Sequence, residues 1–377
     1  MKIEHLRRHA IRRSLFKPVP LTQAIERLGF VQADPMRAPA RAQDLILMHR
    51  ARGYRAGELE ERYPQLAVEE DCFVNYGFVP RAWLGWMHPR TPRRSWDAAT
   101  GQMADEILAH VRQQGEPTHP QAVEDALQHG RMTGYWGNDQ RVSSHLLDGL
   151  HYRGHLRVAA RQNGTRLYEP AHHPDPTLPP AERARLLLEK VVQLYAPLPQ
   201  RSLSQLASML RYGAPHLQTQ VKTHLAQAKA LFEHAEVDGE TWYWPAGESP
   251  QDCWQEGPSG LYLLAPFDPV VWDRLRFERF WRWPYRFEAY TPAAKRKMGH
   301  YALPLLWKDE IRAFANVKVQ AAPGLAPRMA VELGHADAVA PVPRIERTTA
   351  FEDALDKALR RMADFLDVPL GEVRWRA

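Results

Sequence analysis

Gln32 and Asp34 stand two residues apart in the run Gly29-Phe30-Val31-Gln32-Ala33-Asp34-Pro35. In an extended segment, residues i and i+2 project from one face. An amide and a carboxylate so placed can hold one water between them, the amide fixing it and the carboxylate drawing off its proton. The same spacing also fits a strand end running into a turn, with Asp34 capping whatever follows Pro35. A second chemistry-bearing cluster is Lys295, Arg296, Lys297 and His300, within the connector Thr291 to His300. That composition suits contact with phosphates, and equally a solvated loop tip. Metal chemistry is less supported. The two cysteines, Cys72 and Cys253, are far apart, so neither a Cys-x-x-Cys knuckle nor a disulfide framework can be built. Four-cysteine structural zinc is excluded, while the 17 histidines leave other metal sites formally open.

Charge narrows the partner. The chain of 377 residues carries 50 Lys plus Arg against 44 Asp plus Glu. Residues 1 to 100 hold 17 basic and 11 acidic side chains, so the N-terminal third carries the whole surplus. The surplus is mostly arginine, whose planar fork suits phosphates and guanine edges. A polyanion near the N-terminal third fits this balance. No stretch reaches the roughly 18 apolar residues of a membrane span, and Met1 to Arg8 is charged, without a signal-peptide core. The expectation is a cytoplasmic protein.

The elements that must position these residues can be read from periodicity. Residues 2 to 16 and 21 to 29 read as helices, the second ended by Gly29, and Ala38 to His49 returns to helical spacing after the Gln-x-Asp strand, beside Arg37 and Arg41. Pro89 to Arg94 reads as a solvated linker. Helices at Asp97 to Gln113, Pro120 to His129 and Asp139 to Tyr152 then precede a hairpin at Leu156 to Tyr168 around Asn163-Gly164. Three helices and a hairpin is the order of a winged helix. A second copy spans helices 181 to 196, 202 to 210 and 214 to 231, then strands Phe232 to Val237 and Thr241 to Trp244. The expected fold is α+β and mainly α, with winged-helix units at 95–172 and 179–256 and a winged-helix-like unit at 1–90 carrying Gln-x-Asp. A mixed, β-rich part occupies 257–377. There, Tyr285 to Tyr290 and Tyr301 to Trp307 read as strands joined by the basic connector, followed by strands at Glu310 to Gln320 and Arg328 to Leu333 and a helix at Ala350 to Leu366.

Several stretches together resemble the winged-helix DNA glycosylases of the AlkZ and YcaQ (AlkX) type, which unhook alkylated and crosslinked DNA. They are Leu28 to Asp34 with Arg41-Ala42-Gln43-Asp44-Leu45, the wing-bearing Leu146 to Tyr168, and Leu264-Ala265-Pro266-Phe267-Asp268-Pro269-Val270-Val271-Trp272-Asp273-Arg274. Tyr285 to Pro292 and Gly299 to Leu306 complete the set, in family order. The resemblance implies three tandem winged helices curved into a concave, DNA-accepting scaffold. It also implies a catalytic pair of Gln-x-Gln or Gln-x-Asp form, here Gln32 and Asp34, in the YcaQ-like branch. Arg37, Arg41, Lys295, Arg296, Lys297 and His300 are then the expected DNA contacts. Two departures stand out: Pro35 follows the aspartate, which could re-aim its carboxylate, and Gln43 stands where many relatives have histidine.

An N7-alkylated guanine is cationic and leaves without much acid help. The protein must stabilise an oxocarbenium-like sugar and present a water to the anomeric carbon. Asp34 suits both tasks, and Gln32 can orient the water. The expectation is a monofunctional DNA N-glycosylase that hydrolyses N7-alkylpurine nucleotides and unhooks interstrand crosslinks, without metal or cofactor. No lysine lies near Gln32 and Asp34 for a Schiff base. The expected partner is double-stranded DNA with alkylated or crosslinked bases, met by a monomer at the nucleoid and not at a membrane. A catalytically silent winged-helix regulator and a protein-interaction scaffold stay open as alternatives.

Overall fold

The computed structural model describes residues 1–92, 95–133, 139–173, 176–252, 260–322 and 324–376. They form two compact units. The first combines Met1–Glu58, Glu189–Leu206 and Gln227–Ala377, and the second combines Leu59–Leu188 and Ala207–Ala226.

The first unit is built on a five-stranded sheet in the order Leu261–Leu263, Leu303–Trp307, Glu310–Ala322, Leu325–His335, Leu370–Trp375. The first four strands are antiparallel neighbours, and the last runs parallel to Leu325–His335. A parallel neighbour requires a crossover, which here contains helix Thr349–Leu366. Its Phe351, Leu355, Ala358, Leu359 and Met362 recur at helical spacing and are all buried. Thr348 caps it, accepting the Phe351 N–H at 3.3 Å. Near the N-terminus, helices Ile3–Ser14, Leu21–Leu28 and Ala42–Leu47 contribute Leu6, Ile11, Ile25, Leu28, Leu45 and Ile46 to the core.

One buried ion pair ties these helices to the sheet side of the unit. Arg50 and Asp268 both have fully buried side chains and meet through two parallel hydrogen bonds of 2.8 and 2.9 Å. The remaining Arg50 donors go to the Ser14 carbonyl, the Ser14 hydroxyl and the Ile46 carbonyl. A buried charge is tolerated only when fully paired in this way. The Pro266-Phe267-Asp268-Pro269 stretch is thus an anchor.

The second unit holds helices Ala98–Gln114, Pro120–Leu127 and Val142–Arg153, followed by the hairpin Leu156–Gln162 and Thr165–Pro170. Asn163 and Gly164 have φ of 50° and 83°, the left-handed pair that a two-residue hairpin turn demands. Thr118, between the first two helices, pairs with Tyr168 and so adds an edge to the hairpin. An equivalent arrangement recurs in the first unit, where Leu198–Pro199 pairs with Glu240–Trp244, itself paired with Glu233–Val237. A further hairpin, Val68–Cys72 with Tyr76–Pro80, belongs to the second unit.

Several expectations need correction. Arg90 is buried on Asp71 at 3.0 Å, so the expected linker is not solvated there; Arg93 and Arg94 lie outside the described residues. Tyr285 to Tyr290 is not a strand, because Glu288 draws the N–H groups of residues 297 to 299 onto its carboxylate and folds the segment on itself. The basic connector is therefore an irregular loop. Asp139–Arg141 is a strand paired with Arg131–Thr133, and the helix begins only at Val142. The span 214 to 231 breaks into Pro215–Leu217, Gln218–Ala226 and Ala228–Leu231. Helical structure after the Gln-x-Asp run covers only Ala42–Leu47.

Candidate active site

Gln32 reaches its position because helix Leu21–Leu28 stops at Gly29, whose φ of 80° suits a residue without a side chain. The chain then extends through the buried Phe30 and Val31. Gln32 is itself buried, and its Oε1 accepts the Trp272 indole N–H at 2.9 Å. An indole nitrogen only donates, so the acceptor must be the amide oxygen. The opposite, NH₂ end of the amide is left to donate elsewhere. Trp272 is positioned in turn by the anchor already described. Its backbone N–H donates to the Asp268 carbonyl at 2.7 Å, and its ring lies 5.2 Å from that of Tyr195.

Asp34 is half-buried. Proline has no N–H, so the carboxylate bridges over it: Oδ1 accepts the Met36 N–H at 2.9 Å. Among the described residues, Oδ2 has no hydrogen-bond partner. The Asp34 N–H donates to Oε1 of Gln43, a residue buried on helix Ala42–Leu47, at 3.4 Å. Burial pushes the Asp34 carboxyl above the ordinary aspartate value, and the Met36 N–H opposes this only in part. Asp34 therefore keeps an available oxygen and a basicity above that of a solvated aspartate.

Tyr301 shares this neighbourhood. Its phenol is held well above its ordinary value, first by burial and next by the negative charge of Asp34. Tyr301 also lines a cavity of 410 Å³ with Ala38, Arg296, His300, Asn316 and Lys318. Ala38 comes from the loop that follows Asp34, so that loop and the basic loop 293 to 301 share the cavity wall. Gly299 is required here: its φ is 132°, and a side chain would strike Asn316, whose amide donates to the Met298 carbonyl at 2.8 Å.

The six expected cationic contacts fall into distinct settings. Lys295 and Lys297 are exposed on the basic loop, and His300 is exposed on the cavity wall. Arg296 also lines the cavity, but its guanidinium is tied to the Thr291 and Ala289 carbonyls. Arg37 is exposed and Arg41 half-buried, and both act on the buried Asp44 carboxylate. Asp44 itself accepts from the Tyr54 hydroxyl and the Gly57 N–H, which is a structural role. Sequence reasoning did not single out Trp272 or Tyr301. Both lie inside motif stretches, and the available signal was an aromatic residue with a polar tip in an otherwise buried run. Among the described residues, no group of three or more His, Cys, Asp and Glu could hold a metal ion.

This geometry can be set beside known proteins. A family model described as "DNA glycosylase AlkZ-like" matches residues 25–365. Among solved structures, the chain is similar to the Streptomyces sahachiroi DNA glycosylase AlkZ, with a TM-score of 0.61, 13% identity and 100% of each chain covered. At that identity the likeness speaks for the fold. The family match spans the Gln32 to Asp34 run, the Trp272 anchor and the basic loop alike, and the chain belongs to the AlkZ-like DNA glycosylase family.

Proposed function

We propose that this protein hydrolyses the N-glycosidic bond of N7-alkylated purines in duplex DNA, including purines tied in interstrand crosslinks, with Gln32 and Asp34 as the catalytic pair. The observation that carries the reading is the asymmetry of Asp34, with one oxygen committed to Met36 and the other unpaired in a setting that raises its basicity. Water held by that oxygen attacks the anomeric carbon while its proton passes to Asp34. The glycosidic electron pair leaves on the purine and cancels its positive charge. Asp34, ionised before the step, also favours the cationic sugar of the transition state. Gln32 contributes its NH₂ end to the water, because Trp272 holds the other end.

The scaffold reading is supported by connectivity. Residues 97–170 and 180–244 each run helix, short extended segment, helical segments, strand, strand, with the pair Arg131–Thr133 and Asp139–Arg141 inserted before the third helix of the first, and in both the short segment pairs with the last strand. We read these as two winged-helix units, with residues 1–90 as a third and 257–377 as a separate β-rich part. Arg37, Arg41, Lys295, Lys297 and His300 are assigned to phosphates, and Arg296 to shaping the loop beside them. We assign no lyase step and a monomeric, chromosome-associated enzyme. Borohydride trapping checks the first point, since Lys318 lines the same cavity. Single-turnover assays on duplexes bearing 7-methylguanine or a nitrogen-mustard crosslink test the whole reading. An abasic product from wild-type protein, lost in Asp34→Asn, is expected. Salt-dependent binding without product would point to a binding-only protein.

A further inference from the structure

Tyr301 is almost wholly removed from solvent, at 3% exposure, and among the described residues its hydroxyl has no hydrogen-bond partner. That is costly, because a buried hydroxyl without a partner forfeits its hydration. Its neighbour Tyr285 avoids the cost. The Tyr285 hydroxyl donates to the Ala302 carbonyl at 2.7 Å, directly after Tyr301 in the chain. The Tyr301 ring is also fixed, standing edge-on to Phe287 at 5.2 Å with an interplanar angle of 87°. An unpaired polar tip on a fixed ring, in a residue that lines a cavity together with Ala38 of the loop after Asp34, points to a role other than holding the fold.

We infer that the Tyr301 hydroxyl is a further catalytic group, its oxygen accepting the second O–H of the water that Asp34 deprotonates, so that one water lone pair meets the Gln32 NH₂ and the other stays free to attack. The inference rests on Asp34 being the base. In the step, the water oxygen forms the bond to the anomeric carbon, the bond to the purine nitrogen breaks with its electron pair going to the purine, and the water proton goes to Asp34. Tyr301 keeps its own proton throughout and only holds the water. The electrostatics agree: burial and then the Asp34 charge oppose ionisation of the phenol, so Tyr301 stays a neutral hydroxyl that can accept from the water without taking its proton.

The test is Tyr301→Phe, which removes one oxygen and leaves the ring. Base release from 7-methylguanine duplex at saturating protein should fall roughly 10- to 100-fold, the usual effect of losing one hydrogen bond to a reacting group, with the Kd for that duplex unchanged. The melting temperature should stay level or rise, because the variant no longer buries an unpaired hydroxyl. A structural hydroxyl would show the reverse. A rate within twofold of wild type overturns the inference, and so does a slower rate accompanied by a lower melting temperature. Asp34→Asn separates the two layers. If it is inactive while Tyr301→Phe is unimpaired, only the tyrosine is wrong; if it is active, the reading of Asp34 on which the tyrosine rests is wrong.

Discussion

Asp34 in the first unit and Asp71 in the second are both withdrawn from water, yet their acidities move in opposite directions. Burial pushes both carboxyls up. At Asp34 only the Met36 N–H opposes it, and the net shift is upward. At Asp71 the Arg90 and His88 partners outweigh burial and hold the carboxyl well below the usual range. The geometry explains the split. Asp71 accepts from both Arg90 nitrogens at 3.0 Å and from the Cys72 N–H at 2.6 Å, and meets His88 at 2.8 Å. Its neighbours Glu69 and Glu70 are likewise paired, with Arg157 and Arg161. The same residue type thus serves architecture where both oxygens are engaged, and chemistry where one is left over.

Breaking the saturated site should have the largest effect on the fold. Arg90→Met strands a buried carboxylate and is expected to cost about 3–5 kcal/mol, read as a lower midpoint in urea. If the midpoint holds, Asp71 is not the keystone described. Breaking the unsaturated site should affect rate far more than stability. Gln32→Ala should slow base release by about 10²-fold in single-turnover assays, with a melting temperature lowered only by the loss of the Trp272 hydrogen bond. A smaller loss follows for Trp272→Phe, which keeps the ring but frees Gln32 to rotate. A drop of about 10-fold in kcat at constant KM is expected, and a change confined to KM would show that Trp272 binds DNA instead.

A separate, pH-dependent effect concerns a buried base outside both sites. His49 meets the Leu263 carbonyl at 2.8 Å, and burial, followed by the Arg361 charge, brings its pKa down to about 3. The unfolded chain takes up that proton near pH 6.5, and the folded chain does not until about 3. Stability is therefore full above pH 6.5 and falls as the pH drops, by about 1.4 kcal/mol per pH unit from this group. Urea midpoints between pH 7 and 4 should steepen downward in wild type and less so in His49→Phe.

Much of the helical order was legible because apolar spacing and punctuation agree locally. Asn163-Gly164 fixes one hairpin, and Gly29 ends the helix before Gln32. What failed depends on distant partners. The Glu288 carboxylate cancels a strand that aromatic alternation suggests, and Arg90 leaves solvent for an aspartate 19 residues earlier. Leu370–Trp375 joins the sheet in parallel register, which no local pattern announces. The candidate site divides the same way. Gln32 and Asp34 are visible as a pair, but the indole that orients Gln32 is 240 residues away, and the Met36 N–H that takes one Asp34 oxygen cannot be read from the spacing.

The central claim is that Asp34 is the base, and the pH dependence of base release from 7-methylguanine duplex tests it most directly. Protonation of Asp34 removes the base, so the rate must fall as the pH drops through its raised pKa. The account predicts an acid limb above the ordinary aspartate value of about 3.9, and a rate at least about 10³-fold lower for Asp34→Asn across the whole range. An acid limb at or below that value, or an Asp34→Asn variant within tenfold of wild type, would contradict it.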